Sequence, residues 1–287
     1  MTIRKVVVVG AGAMGTGIAR AAAAGGFEVL LQDRDQAKAE TGRQSIRVSL
    51  EKQVAKGRME EAGKEALLSR IRLCSSLDEC AGSDLVIEAV VENEDVKQGI
   101  FRSLDAVCPP HTLFASNTSS ISITRLASVT TRPEQVIGMH FMNPAHVMKL
   151  VEVITGLVTS PATTEKVCQV AEQMGKTPVL VNDCPGFVAN RVLMPMINDA
   201  IFCLQEGVAD RDAIDEITRL GANHPMGPLE LADFIGLDVC LEILKVLHRE
   251  LGEKYRPCTL LRNMVAAGRL GRKSGCGFYD YRESRKS

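Results

Sequence analysis

His140 and Glu152 stand twelve residues apart in the run Gly138-Met-His-Phe-Met-Asn-Pro-Ala-His-Val-Met-Lys-Leu-Val-Glu152. An imidazole held by a carboxylate exchanges protons readily near neutral pH. Upstream lie Gly10-Ala-Gly12-Ala-Met-Gly15 and the polar run Ser116-Asn117-Thr118-Ser119-Ser120. The glycine motif suits a dinucleotide. If its nicotinamide takes a hydride from an alcohol, something must take the alcohol's proton. One chain therefore offers a hydride-acceptor site and a candidate proton acceptor.

The glycine motif gains weight from its surroundings. Val6–Val9 reads as a buried strand before it, and Thr16–Ala24 is a small, Ala-rich stretch suited to a helix packed closely on a sheet. Gly10 permits the tight turn, Gly12 lets backbone approach a pyrophosphate, and Gly15 allows close helix–strand packing. The helix N-terminus then offers N–H groups and partial positive charge to phosphates. Asp33 follows 23 residues after Gly10, where a carboxylate accepts hydrogen bonds from ribose hydroxyls. It would repel a 2′-phosphate by roughly 1–4 kcal/mol at about 4 Å. NAD is therefore expected over NADP, although Arg34 offers partial compensation.

Further strands are expected at Phe27–Gln32, Leu85–Val90, Leu113–Ala115, Val136–His140, Leu150–Ile154 and Val179–Val181. Helical spacing runs from Asp35 to about Leu68 with a break near Gly57, and again over Glu165–Met174. Strands alternating with helices predict an α/β fold, with a Rossmann-like, doubly wound, mostly parallel sheet in an N-terminal domain over 1–184. After Asp183-Cys-Pro-Gly186 the spacing becomes helical, over Phe187–Gln205, Arg211–Leu220, Leu229–Leu251 and Thr259–Ala267. An all-helical C-terminal domain over 185–287 is expected, with no strand apart from a short tail around Phe278-Tyr279.

Bulk composition excludes several classes. The 287 residues are 45% apolar with net charge −1, which argues for a real core and against a nucleic-acid binder relying on overall charge. Nine cysteines without a Cys-x-x-Cys pair fit free thiols in a reducing compartment and no metal site. No apolar run has the length of a membrane span, and Val6–Val9 lacks a signal-peptide layout. A cytoplasmic location is expected.

The motifs jointly resemble the 3-hydroxyacyl-CoA dehydrogenase family, close to the bacterial 3-hydroxybutyryl-CoA dehydrogenases. The resemblance covers about residue 3 to residue 282. It rests on the glycine and Ser116–Ser120 motifs, Gly138-Met-His-Phe-Met-Asn-Pro144, Lys149-Leu-Val-Glu-Val153, Pro185-Gly-Phe-Val-Ala-Asn-Arg191, His224-Pro-Met-Gly-Pro-Leu-Glu-Leu-Ala-Asp233 and Gly271-Arg-Lys-Ser-Gly-Cys-Gly-Phe-Tyr279. It implies an NAD-dependent oxidoreductase interconverting (S)-3-hydroxyacyl-CoA and 3-oxoacyl-CoA. His140 would be the general base, oriented by Glu152. Ser119 and Asn190 would hydrogen-bond the substrate oxygens or the histidine. Glu92, Lys97, Asn117 and Asn143 match positions lining the nicotinamide side, and Lys52 and Lys56 match positions that meet the CoA phosphates. The helical domain would form a homodimer and supply Asn190 to the cleft between domains.

Each residue also has a structural reading. His140 could be a packed histidine, Glu152 an exposed strand carboxylate, Ser119 a turn residue and Asn190 a helix-surface amide. Asn143 could cap the turn before Pro144, and Lys97, Lys52 and Lys56 could be solvated helix charges. Met142, Ala145 and His146 depart from the family pattern at positions expected to flank an acyl pocket, with His146 read as structural. Two other functions remain open at this point. One is the same chemistry on a sugar acid or an acyl-carrier-protein thioester. The other is NAD binding without turnover.

Overall fold

Val6, Val7 and Val8 are β-branched and wholly apolar, as a strand covered on both faces requires. In the computed structural model, which describes residues 2–282, they are completely buried in β1 (Lys5–Val9). The glycine turn feeds α1 (Ala13–Ala24), and β2 (Glu28–Gln32) returns parallel to β1. Asp35 caps α2 (Gln36–Ala55) by accepting the Ala37 and Lys38 N–H groups. Gly57, at φ +65°, then separates α2 from α3 (Glu61–Ser69), where a break was expected.

The remaining elements of the first unit are β3 (Ile71–Cys74), β4 (Leu85–Glu88), α4 (Glu94–Val107), β5 (Leu113–Ser116), α5 (Ile123–Ala127), β6 (Val136–Phe141), β7 (Leu150–Thr155), α6 (Pro161–Gln173) and β8 (Thr177–Asn182). The eight strands form one sheet in the order β3-β2-β1-β4-β5-β6-β7-β8. The first six in that order run parallel. β7 is antiparallel to β6, and β8 is parallel to β7. The order reverses between β1 and β4, the switch point where such sheets open a crevice at their carboxyl ends.

Two sequence expectations need adjustment here. β4 stops at Glu88 rather than Val90, because the Val90 N–H turns back to the Glu88 carboxylate. Ala145, expected beside an acyl pocket, is 2% exposed and packs in the core against Gly17 of α1.

Contacts divide the chain after Asp183, and the second unit begins at Cys184. That unit holds α7 (Ala189–Gln205), α8 (Arg211–Gly221), α9 (Pro228–Ile235), α10 (Leu237–Leu251) and α11 (Thr259–Ala266) around a core that includes Met194, Ile197, Leu241, Leu244 and Leu247. α7 starts two residues later than expected, since Phe187 takes φ +50°. The single helix expected over Leu229–Leu251 is two helices. Gly236 (φ +105°, ψ +124°) ends α9 and precedes α10, in a conformation reserved in practice for glycine. In the tail, isolated bridges join Cys276 to Gly271 and to Asp280.

Candidate active site

Four candidate groups follow or end parallel strands at the carboxyl edge of the sheet. These are the glycine turn after β1, Glu88 on β4, the Ser116–Ser120 run after β5 and His140 near the end of β6. Parallel pairing aligns these ends. β7 runs the other way, so its early residue Glu152 lies at the same edge.

The turn after β1 fits a dinucleotide pyrophosphate. Gly10 has φ +104°, and a methyl carbon there would sit 2.7 Å from the Ala89 carbonyl oxygen. At Gly15 a methyl carbon would sit 1.8 Å from the Gly10 carbonyl oxygen. Gly12 faces open space, with nothing within 4 Å of an added carbon. No side chain caps α1 at Gly12, so its first-turn N–H groups are available to an anion. Asp33 is half-buried at the end of β2. Its Oδ2 accepts the Ala11 N–H at 2.9 Å and its Oδ1 accepts the Asp35 N–H at 3.1 Å, which braces the carboxylate against the turn.

His140 and Glu152 face each other directly across the antiparallel β6–β7 ladder. Directly opposed residues project to the same face of a sheet with Cβ atoms about 5 Å apart. His140 Nδ1 lies 2.7 Å from Glu152 Oε2, with the two residues 8% and 2% exposed. Glu152 is thus no exposed strand carboxylate. A carboxylate accepts only, so Nδ1 carries the proton of this bond and Nε2 is the nitrogen suited to accept another. Asn117 steadies the same strand, since its Oδ1 accepts the Phe141 N–H at 2.9 Å.

A second charged group lies beside the Ser116–Ser120 run. Lys97, on α4, is 1% exposed and donates to Glu88 Oε1 at 2.7 Å, with Glu92 Oε2 at 3.3 Å. It is therefore not a solvated helix charge. Glu92 Oε1 accepts the Thr118 hydroxyl at 2.5 Å and the Ser119 and Ser120 N–H groups at 2.8 and 3.1 Å, and the Ser119 hydroxyl lies at 3.3 Å. Burial acts to raise the Glu92 pKa. The Lys97 ammonium and the Thr118, Ser119 and Ser120 donors outweigh it, and the net shift is downward. Glu88 was not singled out in the sequence. The available signal was a carboxylate closing an apolar strand, followed nine residues later by a lysine.

Other expected residues lie elsewhere. Lys52 and Lys56 are exposed at the C-terminal end of α2, where positive side chains complement the helix dipole. Lys52 borders a groove of about 750 Å³ along α2 with Arg43, Ser45, Arg47 and Ser49. None of the groove's residues belongs to the His140–Glu152 group. Asn143 is exposed after β6, before a cis bond to Pro144. Asn190, in the first turn of α7 in the second unit, is 8% exposed and so not a helix-surface amide. His146 is exposed. Partial burial first, then nearby Arg20 and Lys176, hold its pKa below the usual range.

Comparison with known proteins identifies the family. Residues 5–184 match the 3-hydroxyacyl-CoA dehydrogenase NAD-binding domain, and residues 186–281 match the C-terminal domain of the same family. The chain belongs to the 3-hydroxyacyl-CoA dehydrogenase family. A probable 3-hydroxybutyryl-CoA dehydrogenase of Bacillus subtilis (strain 168) is 56% identical over 99% of both chains. The 3-hydroxybutyryl-CoA dehydrogenase of Bradyrhizobium diazoefficiens is 53% identical over 98% of this chain and 96% of its own. The crystal structure of (S)-3-hydroxybutyryl-CoA dehydrogenase PaaH1 from Ralstonia eutropha superposes with a TM-score of 0.94, at 49% identity over 98% of this chain and 99% of that one. This dehydrogenase is an NAD-dependent oxidoreductase whose first unit is the NAD-binding domain. Among the described residues, no helix is long and apolar enough to cross a membrane.

The Asp33 carboxylate sets the first test. kcat/KM with NADH should exceed that with NADPH by at least about tenfold. A preference for NADPH in initial-rate measurements would remove Asp33 as the ribose acceptor.

Proposed function

We propose that the enzyme interconverts (S)-3-hydroxyacyl-CoA, with 3-hydroxybutyryl-CoA as the type substrate, and 3-oxoacyl-CoA through a His140–Glu152 proton relay. The 2.7 Å bond between the two buried side chains is the observation that carries this reading. Bound NAD would accept the hydride that leaves substrate C3 in oxidation. His140 Nε2 takes the 3-hydroxyl proton in oxidation and returns it to the forming alkoxide in reduction. Glu152 keeps the proton of the neutral ring on Nδ1 and stabilises the imidazolium. Ser119 and Asn190 donate hydrogen bonds to substrate oxygens, where developing charge makes such donors count most.

Gly10, Gly12, Gly15 and Asp33 are assigned to the dinucleotide. Glu92, Lys97, Asn117 and Asn143 are assigned to its nicotinamide side, where Lys97 acts from behind Glu92. Lys52 and Lys56 are assigned to the CoA phosphates, a reading supported by their exposure and by Arg43 and Arg47 on the same helix. The helical domain is assigned to a homodimer, supported by exposed apolar side chains such as Val188 and Val192 at the start of α7. A cytoplasmic location fits the nine free thiols.

His140→Gln should lower kcat for acetoacetyl-CoA reduction by about 100-fold or more, with NADH affinity nearly unchanged by titration. Undiminished turnover would remove the proposed base. Glu152→Gln removes the carboxylate that orients the imidazole, so kcat should fall by a similar or smaller factor, with a changed pH profile. An unmoved profile would count against the relay. The Lys52→Ala/Lys56→Ala variant should raise KM for acetoacetyl-CoA and flatten its salt dependence while sparing kcat. Unchanged values in both respects would return these lysines to solvent. Light scattering at micromolar concentration should give twice the chain mass, and a monomer would exclude the dimer.

A further inference from the structure

Glu88 is fully buried at the end of β4, and the proton relay does not account for it. A carboxylate in that position must be paired and hydrogen-bonded, or lose its charge. Both of its oxygens are engaged. Oε1 accepts the Val90 N–H and the Lys97 ammonium, each at 2.7 Å, and Oε2 accepts the Ser116 hydroxyl at 2.6 Å. Lys97 reaches on to Glu92 Oε2 at 3.3 Å, and the other oxygen of Glu92 gathers the Thr118 hydroxyl and the Ser119 and Ser120 N–H groups. A second connection is shorter. The Ser116 hydroxyl oxygen also accepts the Thr118 N–H at 3.2 Å. Two routes therefore lead from Glu88 to the turn that carries Ser119.

We propose that Glu88 is a positioning residue for Ser119, holding Lys97 and Ser116 so that they fix the Glu92 carboxylate and the Thr118–Ser120 turn. The inference rests on the assignment of Ser119 to the substrate. All three groups that Glu88 receives come from the carboxyl ends of β4 and β5 or from the start of α4. The carboxylate thus binds together the segments that border the crevice. Glutamine at this position keeps the shape and removes the charge. Its amide nitrogen cannot accept, so one donor loses its partner. Glu92 is then the charged partner left to Lys97, which is drawn toward it and displaces the turn.

The test is a double-mutant cycle between Glu88→Gln and Ser119→Ala, read as kcat and KM for acetoacetyl-CoA with NADH. Glu88→Gln should lower kcat by about tenfold or more, with a smaller change in KM. In the Ser119→Ala background the same substitution should change kcat by less than about twofold, since the group it positions is gone. Ser116→Ala leaves the buried ion pair intact. It should give a smaller loss with the same dependence on Ser119, and it decides the matter alone if Glu88→Gln does not fold. Equal losses in both backgrounds, or undiminished kcat in Glu88→Gln, overturn the proposal. A Ser119→Ala enzyme of full kcat removes the assignment of Ser119, and the role of Glu88 falls with it. An impaired Ser119→Ala enzyme with additive losses refutes the role of Glu88 alone.

Discussion

Charge removed from water must be answered within hydrogen-bond reach, and the first unit is arranged around that requirement. The idealised desolvation cost of one carboxylate is of order 20 kcal/mol, and several kcal/mol remain after relaxation. Glu152 meets it with His140, opposite on the next strand. Glu88 meets it with Lys97, a backbone N–H and a serine hydroxyl. Neither carboxylate can be moved without stranding a partner. The polar edge of the sheet is therefore as tightly specified as the apolar core behind it.

Strand direction makes the first of these pairs possible. Had β7 continued parallel to its neighbours, its early residues would lie at the far edge of the sheet. The reversal at β6–β7 returns the chain at once, so residues twelve apart in sequence become directly opposed. The second group relies on the opposite device. Parallel pairing of β4 with β5 aligns Glu88 with Ser116, 28 residues later, and the α4 start brings Lys97 to Glu88. One sheet uses antiparallel and parallel geometry at the same edge to assemble two charged groups.

Much of this was legible in the residues. The β-branched run, the glycine spacing and Asp33 announced the first βαβ unit, and helical periodicity beyond Gly186 announced the second unit. The proximity of His140 and Glu152 followed from the family motif more than from any local rule. Glu88 escaped because it lay unremarked inside the expected strand Leu85–Val90, while its partners Lys97 and Ser116 lie farther along the chain. β3 is four residues long and carries an exposed Arg72, so no clean alternation marks it. The break at Gly236 escaped for a different reason. A single glycine in an apolar helical pattern is usually tolerated, and only its backbone angles reveal that two helices meet there.

Two glycines of the same motif carry separable burdens. Beyond Gly12 there is room for a side chain, whereas Gly15 is pressed against the Gly10 carbonyl. Alanine at Gly12 enters open space, the space proposed above for phosphate oxygens, and spares the polypeptide's own packing. Alanine at Gly15 forces strand and helix apart. A survey scoring cellular abundance separately from turnover would therefore sort these neighbours into different classes, the one yielding plentiful inert protein and the other little protein at all.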